Sequence, residues 1–255
     1  MRKIILPIIC TFLFIKYGYA QTTLTVKKMG NHYSPSFSYN GNTLLNAPKE
    51  GLWSIATDWQ NDWSADWHHV SADSLVKEGE WTILYGELKL PAGNWKLRDA
   101  YLQEGDRIKC IRRYEWHGKE VLPKVTLAVR WTLPEYTDRI FMPGILHYGN
   151  PSGYRNCPTC VATFDKDHAP EAIFEEHRFS MPFVCAELKQ GNQNFGVSLH
   201  TQPSLAPNAN IPDQWWSLGA SAKNNTTELD LLSGPIAMNG QHSMAKALQD
   251  KPVPY

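Results

Sequence analysis

Hydrophobic and polar residues alternate most regularly at residues 125–133. Val125, Leu127, Val129 and Trp131 occupy every second position, and threonine, alanine and arginine fill the positions between them. Because successive side chains of a strand point to opposite faces, this period of two predicts a strand with one buried face and one polar face.

Several other segments have the composition of strands and are separated by turn residues. Pro91 and Gly93 lie between residues 81–90 and 95–103, and residues 106–116 follow, which favours an antiparallel meander. Further strand-like runs are residues 139–148, 172–187, 195–201 and 228–238. Many strands at short spacing predict an all-β fold, a large antiparallel β-sandwich.

The two ends of the chain differ from this pattern. An almost wholly apolar run at residues 4–15 follows two basic residues, and Gly18 and Ala20 stand at the −3 and −1 positions before Gln21, as in a cleavable secretory signal. We therefore expect residues 1–20 to be a signal peptide and the mature chain to be secreted or periplasmic. The apolar run is well short of the ~20 residues of a membrane-spanning helix, so we expect no membrane span.

Residues 21–255 are predicted to form one β-sandwich domain. Residues 250–255 contain no evident closing strand. We therefore expect a sandwich that is incomplete at its C-terminus and that comes from a longer polypeptide.

The chain has 10 Trp, 11 Tyr, 9 Phe, 17 Gly and 17 Pro, which favours pleated strands joined by tight turns. Its 25 basic and 25 acidic residues become 22 and 25 without residues 1–20, a net charge of −3, so we expect no nucleic-acid partner.

Four cysteines follow the signal segment: Cys110, Cys157, Cys160 and Cys185. An even number in an oxidising compartment permits disulfides, with three connectivities that the sequence does not separate. Cys157 and Cys160 also have the spacing of half a zinc site, whose other half would come from distant cysteines or histidines. We favour disulfides or free thiols over zinc.

Phosphate-loop, nucleophile-elbow, zinc-helix and calcium-loop motifs do not occur in the sequence. We therefore expect no cofactor and no metal.

Three Asp-Trp pairs repeat at a spacing of four, at residues 58–59, 62–63 and 66–67, and His68 and His69 follow. On a helix this spacing would align each residue type in one row, and on a strand it would put Asp and Trp on opposite faces. One interpretation is a sugar platform, in which the indole rings cover apolar sugar faces and carboxylates bind hydroxyls. The alternative is that the tryptophans are core and the aspartates are solvated. The candidate residues are Trp59, Trp63, Trp67 and His68.

Residues 173–179 are rich in polar groups between two apolar runs. In a strand, Glu175 and His177 would share one face and Glu176 and Arg178 the other, so the two glutamates could not act together on one substrate. Glu175 with His177 is the candidate binding pair, and a structural contact between Glu176 and Arg178 is the alternative.

Two loops add further candidates for ligand binding. Turn residues at 148–153 would expose Tyr148 and Asn150 at a loop tip, although an ordinary turn is the alternative. Trp215 and Trp216 follow a loop rich in proline and asparagine, and neighbouring residues in a strand face opposite ways, so at least one of them would be core.

The order of the strands and the segments Phe141-Met-Pro-Gly-Ile-Leu-His-Tyr-Gly-Asn-Pro-Ser-Gly153 and Phe174-Glu-Glu-His-Arg-Phe179 resemble the N-terminal β-supersandwich domain of secreted bacterial glycoside hydrolases. That domain has a galactose-mutarotase-like fold, and the resemblance, one of general pattern, covers most of the mature chain. It implies an accessory domain that contacts a poly- or oligosaccharide, with a C-terminal catalytic module beyond this chain. The parent polypeptide would then be a glycoside hydrolase that degrades a polysaccharide.

Two other functions stay open, and so does the question of whether the chain alone is an enzyme. A self-sufficient, mutarotase-like sugar-converting enzyme would have the same fold and would need a histidine acid/base and a glutamate in one cleft. A structural or adhesive surface module would keep all the tryptophans in the core.

Overall fold

The computed structural model describes residues 22–60, 63–120, 122, 124–144, 171–175, 179–200, 216–223 and 225–233. Within these ranges the regular secondary structure consists of β-strands, and the paired strands run antiparallel. The predicted all-β antiparallel sandwich is confirmed. The described residues include no helix with the length and apolar character needed to cross a membrane.

Sixteen strands follow one another along the described residues. They are β1 (Thr22–Met29), β2 (His32–Tyr39), β3 (Asn42–Asn46), β4 (Trp53–Gln60), β5 (Trp63–Val70), β6 (Ser74–Glu78), β7 (Trp81–Leu90), β8 (Gly93–Glu104), β9 (Arg107–Gly118), β10 (Thr126–Thr132), β11 (Thr137–Phe141), β12 (Glu171–Glu175), β13 (Phe183–Gln190), β14 (Gln193–His200), β15 (Trp216–Lys223) and β16 (Thr226–Ser233).

The strands form three sheets. Sheet A has nine strands in the order β1-β2-β3-β10-β16-β15-β12, with β4 paired to both β10 and β5. Strands β3 and β4 share one edge of β10, because Thr132 pairs with Asn46 of β3 and Ala128 pairs with Ser54 of β4. Sheet B has the order β6-β7-β8-β9, and sheet C has the order β11-β13-β14.

Sheets B and C pack on the same face of sheet A, which we call the core face. Trp131 and Leu229 are directly opposite in the β10–β16 ladder and therefore share this face. Trp131 packs with Trp95 of sheet B in one hydrophobic cluster, and Leu229 packs with Val184 of sheet C in another. The opposite face of sheet A, which we call the site face, carries the alternate residues of the same strands.

A buried ion pair of sheet B lies against sheet A. Both carboxylate oxygens of Asp99 accept hydrogen bonds from Arg112, with the Nε–Oδ1 distance at 2.9 Å and the Nη2–Oδ2 distance at 2.8 Å. Trp53 Nε1 of sheet A donates to Oδ1 at 2.8 Å and the Tyr101 hydroxyl donates to Oδ2 at 2.6 Å. Although burial disfavours the charged guanidinium, Asp99 raises the pKa of Arg112 above its ordinary value.

Most strands predicted from alternation are confirmed, and one run is divided. Residues 125–133 contain β10, and the predicted meander at residues 81–116 is β7, β8 and β9. The prediction of one strand-like run at residues 172–187 is wrong, because β12 lies in sheet A and β13 in sheet C. Pro182 immediately precedes β13, and a proline lacks the N–H that would continue a ladder.

Residues 58–69 form neither a helix nor a single strand but parts of the hairpin β4–β5. Asp58 pairs with Ala65, and Trp59 pairs with Ser64. Asp66 has a left-handed backbone with φ of 55°. The helical interpretation of the repeat is therefore wrong, because the chain reverses between the first Asp-Trp pair and the third, and a spacing of four does not continue across a turn.

The cysteines are described in part. Cys110 and Cys185 are free thiols, whereas Cys157 and Cys160 lie outside the described residues. Within the part of the chain that the structure describes, no group of three or more histidine, cysteine or acidic side chains is arranged to hold a metal ion. Residues 1–21 and 234–255 also lie outside that part.

Candidate functional site

The ladders of sheet A bring polar residues from five strands to the site face. Arg130 of β10 pairs with Asp230 of β16, and Glu228 of β16 pairs with Ser221 of β15. Ser54 of β4 pairs with β10 two residues before Arg130, and Ser54 also pairs with His69 of β5. Directly paired residues of an antiparallel ladder share a face, so these positions lie on one surface.

Arg130 is the centre of this surface and bridges two acids. Its Nη2 donates to Glu50 Oε1 at 2.7 Å, and its Nη1 lies 3.6 Å from Glu228 Oε2. Lys223 Nζ lies 3.7 Å from Glu50 Oε1, and Thr132 Oγ1 donates to Glu228 Oε1 at 3.2 Å. We call Glu50, His69, Arg130, Glu228 and Asp230 the Arg130 cluster.

His69 is held as a neutral imidazole. Its Nδ1 lies 2.9 Å from Ser54 Oγ and 3.4 Å from Arg130 Nη2. Because a guanidinium only donates, Nδ1 is assigned as an acceptor and the proton as residing on Nε2. That Nε2 is 3.9 Å from Glu50 Oε1. Burial, followed by the charge of Arg130, lowers the pKa of His69, which is consistent with the neutral form.

Trp67 supplies an aromatic surface beside the cluster. It is half-buried and packs against Ala128, Ile173 and Leu232 on the site face. Its ring is nearly parallel to that of His69, with an interplanar angle of 4° and a centroid separation of 6.4 Å. The site face therefore combines an indole with charged and hydrogen-bonding groups.

The acids of the cluster have different proton affinities. Burial opposes the ionisation of Glu50, but the hydrogen bond and charge of Arg130, with the charges of Lys223 and His69, outweigh it and lower the Glu50 pKa. Burial is the main cause that raises the pKa of Glu228. These two carboxylates lie on either side of one guanidinium, so the site contains both a firmly ionised acid and one that protonates more readily.

Asp230 is the most buried acid of the cluster and is only 2% exposed. Its Oδ2 has no hydrogen-bond partner among the described residues. Burial, with the charge of Glu228, raises its pKa to about 7, against the opposing hydrogen bond from Ser221 and the charge of Arg130. Asp230 is therefore partly protonated near neutral pH and can donate or accept a proton there.

The Asp230 pKa predicts a specific pH dependence of stability. Because the folded-state value of about 7 exceeds the ordinary value of 3.8, the folded protein holds more protons than the unfolded chain between these values. The free energy of unfolding should therefore fall as pH rises from about 4 to about 7 and then level off. Asp230→Asn should remove this decline, so its stability relative to the parent should increase over that range.

Urea unfolding of parent and Asp230→Asn at pH 5 and pH 8 measures the effect. Asp106→Asn is the matched control, because the Asp106 side chain is 75% exposed in the β8–β9 turn. The control should keep the pH dependence of the parent. If Asp230→Asn shows the same dependence as the parent, Asp230 does not carry the raised pKa.

Two other predicted site residues do not join the Arg130 cluster. Trp59 is buried, and its Nε1 donates to Thr126 Oγ1 at 3.0 Å, so the core alternative holds for this residue. His68 Nε2 lies 3.1 Å from Thr57 Oγ1 and 3.5 Å from Asp66 Oδ2. His68 stands between Trp67 and His69 in β5, so it lies on the opposite face of the hairpin.

Of the predicted candidates, Trp67 is the one that the described structure places beside the Arg130 cluster. The backbones of Trp63, Glu175 and Trp216 lie in β5, β12 and β15, but their side chains are outside the described part of the structure. Tyr148, Asn150, His177 and Trp215 lie outside the described residues.

Sequence reasoning missed most of the cluster. Arg130 occupies the polar side of the clearest alternating strand, and Glu228 and Asp230 are two residues apart in another predicted strand. Two acids at alternate positions of an otherwise apolar strand were a usable signal for a polar face. Glu50 had no such signal, because it lies in the connection between β3 and β4.

Comparison of the chain with models of protein families, with curated proteins and with solved structures found no match. The chemistry of the site face is therefore derived from its own residues.

Proposed function

We propose that Trp67 and the Arg130 cluster bind a saccharide, and that the chain is a carbohydrate-associated accessory domain of a secreted polysaccharide-degrading enzyme. The observation that carries this proposal is the half-buried indole on the same sheet face as a set of hydrogen-bonded charges. The expected signal peptide and the resemblance to glycoside hydrolase supersandwich domains agree with it.

The chemistry of a sugar matches this combination of groups. A sugar ring has apolar C–H faces and hydroxyls that both donate and accept hydrogen bonds. Trp67 offers an aromatic surface for the former. For the hydroxyls, Glu50 offers acceptor oxygens, and Arg130 and the Nε2 of His69 offer donors. Because Arg130 and Lys223 already neutralise Glu50, the site favours a hydroxyl-rich ligand over a free ion.

A self-sufficient sugar-converting enzyme is the second candidate, and the acid–base groups of the cluster favour it. A neutral His69 stands 3.9 Å from Glu50, and the pKa of Asp230 is about 7. Groups with pKa values near the working pH are the most effective proton-transfer catalysts. Exchange between the anomers of common sugars, measured by NMR, separates the two candidates: turnover that His69→Gln abolishes supports the enzyme, and binding without turnover supports the accessory domain.

Binding is tested by affinity electrophoresis against a panel of plant and host polysaccharides. Trp67→Ala is expected to weaken binding about fivefold to tenfold, since an aromatic contact contributes ~1 kcal/mol. Glu50→Gln is expected to weaken binding as well, because an amide replaces an ionised acceptor that Arg130 holds in position. Tyr39→Ala is the control, since Tyr39 is a half-buried aromatic of β2 that contacts Phe195.

Circular dichroism of each variant shows whether it remains folded. If Trp67→Ala unfolds, its indole is core, and Glu50→Gln then decides the question. If both variants fold and keep full retardation on a glycan that the parent binds, the saccharide site is not on this face.

A further inference from the structure

The face of sheet B that points away from sheet A carries an apolar row across all four strands. Val76 of β6 pairs with Ile83 of β7, Ile83 pairs with Ala100 of β8, and Ala100 pairs with Ile111 of β9. Val76 and Ile111, at the two ends, are 39% and 40% exposed, whereas Ile83 and Ala100 between them are 1% exposed. We call this surface the outer face of sheet B.

Rows with aromatic and cationic residues border the apolar row on both sides. On one side Tyr85 pairs with Arg98, and Arg98 pairs with Arg113. On the other side Trp81 pairs with Leu102, and Leu102 pairs with Lys109. Each flank therefore presents an aromatic residue on β7 and a cation on β9.

The two arginines are an unfavourable pair in the protein by itself. Arg98 and Arg113 are directly opposite on neighbouring strands, and like charges in this position destabilise a sheet. Among the described residues, no ion pair includes Arg98, Arg113 or Lys109. An anion bound between the two guanidinium groups would relieve their repulsion.

The acids in the row next to Arg98 and Arg113, Glu87 and Glu115, contact other side chains, and the acids near Lys109 are Glu78 and Glu104. Glu87 Oε1 lies 2.8 Å from Lys96 Nζ. Glu115 Oε1 lies 3.2 Å from His117 Nε2. The positive charge of Arg98 and Arg113 is therefore not matched by these carboxylates.

We propose that the outer face of sheet B binds an anionic polysaccharide. Carboxylate or sulfate groups would contact Arg98, Arg113 and Lys109, because a guanidinium matches such groups through two parallel hydrogen bonds. The sugar rings would lie against Trp81 and Tyr85, which are partly exposed on either side of the buried Ile83. The Arg130 cluster is on sheet A, so this inference does not depend on the proposed function.

The dimensions favour a polymer over a small anion. Arg113 and Lys109 are four residues apart on β9, which is about 13 Å along a strand. Four strands span about 14 Å from β6 to β9. A ligand whose anionic groups contact both bordering rows must therefore carry these groups at intervals along a polymer of several rings.

A glycan fits this face better than an acidic peptide. Peptides commonly bind sheets by adding a strand at an open edge, through backbone hydrogen bonds. In β7 and β8 both edges of each strand are already paired, so the face itself offers side chains only. A surface of aromatic and cationic side chains suits rings with apolar faces and anionic substituents.

Affinity electrophoresis of the mature chain against four polymers tests the proposal: polygalacturonate, dextran sulfate, neutral dextran and poly-L-glutamate. The parent should be retarded by one or both anionic glycans, and retardation should decrease as salt increases. Arg98→Gln combined with Arg113→Gln should bind about tenfold more weakly, because two charge-assisted contacts are lost. Trp81→Ala should also weaken binding.

Lys27→Gln combined with Lys49→Gln is the control, because it makes the same charge change on exposed residues elsewhere. This control should bind like the parent, and so should Trp67→Ala from the site face. The melting temperature of the double arginine variant should equal or exceed that of the parent, since a like-charge pair is removed.

The responses to the two anionic glycans distinguish a carboxylate-bearing ligand from a sulfated one. Equal retardation by poly-L-glutamate would show a general charge effect and overturn the assignment to a glycan. Unchanged binding of the double arginine variant, or equal weakening by the lysine control, would overturn the assignment to this face.

Discussion

Replacing Asp99 with alanine is expected to lower the free energy of unfolding by about 3–5 kcal/mol, the usual cost of removing one partner of a buried ion pair. Arg112 would remain with its side chain only 9% exposed and its charge uncompensated. Trp53 Nε1 and the Tyr101 hydroxyl would also lose their common acceptor. Because Trp53 belongs to sheet A and Asp99 to sheet B, the loss weakens the contact between the sheets. Urea unfolding followed by tryptophan fluorescence measures the change.

Glu87→Ala is the matched control for Asp99→Ala. Glu87 lies in the same sheet and pairs with Lys96 and Lys89, but on the exposed outer face. Exposed ion pairs contribute little to stability, so the control should unfold close to the parent. A second variant, Asp99→Leu with Arg112→Met, should recover part of the stability, because apolar side chains can replace a buried ion pair. Similar unfolding of Asp99→Ala and the control would show that the ion pair does not stabilise the contact between the sheets.

Replacing Gly219 with alanine is expected to destabilise the protein by about 3 kcal/mol or more, at the upper end of the cost of overpacking. A Cβ at this position would collide with the carbonyl oxygen of Ala172 and with the Cα of Ile173. Both obstacles are backbone atoms of β12, so no side-chain rotation can relieve the collision. Strand β12 would have to move away from β15, and the site face next to Asp230 would change with it.

Gly196→Ala is the control for Gly219→Ala. Gly196 also lies inside a strand, β14, but a Cβ there would have no heavy atom within 4 Å. This variant should be as stable as the parent or slightly more stable, because alanine reduces the freedom of the unfolded chain. The two variants are compared by thermal unfolding. Equal melting temperatures would indicate that β12 does not approach β15 as closely as the structure shows.

Local patterns in the sequence predicted much of the fold. The alternation of Val125, Leu127, Val129 and Trp131 predicted β10, and the turn residues near Pro91 and Gly93 separated β7 from β8. Both signals act over a few residues, since side-chain direction and turn conformation are local properties of the backbone. Such signals therefore need no knowledge of the rest of the chain.

Strands whose side chains are mixed in polarity escaped prediction. Residues 22–46 form β1, β2 and β3, which were not predicted, and Pro35 stands inside β2. The repeat at residues 58–67 was misleading in a different way. Its constant spacing suggested one continuous element, but a turn between β4 and β5 divides it. Trp59 is buried beside Thr126, whereas Trp67 is half-buried on the site face.

The sequence by itself determined that the chain forms antiparallel strands, and it determined which side chains of one strand share a face. The tertiary structure decided which strands are neighbours, and therefore that Arg130 meets Glu50, His69 and Asp230. These partners are separated along the chain by 80, 61 and 100 residues. The physical reason is that alternation has a period of two in every strand, so it orients side chains without specifying the partner strand or the register.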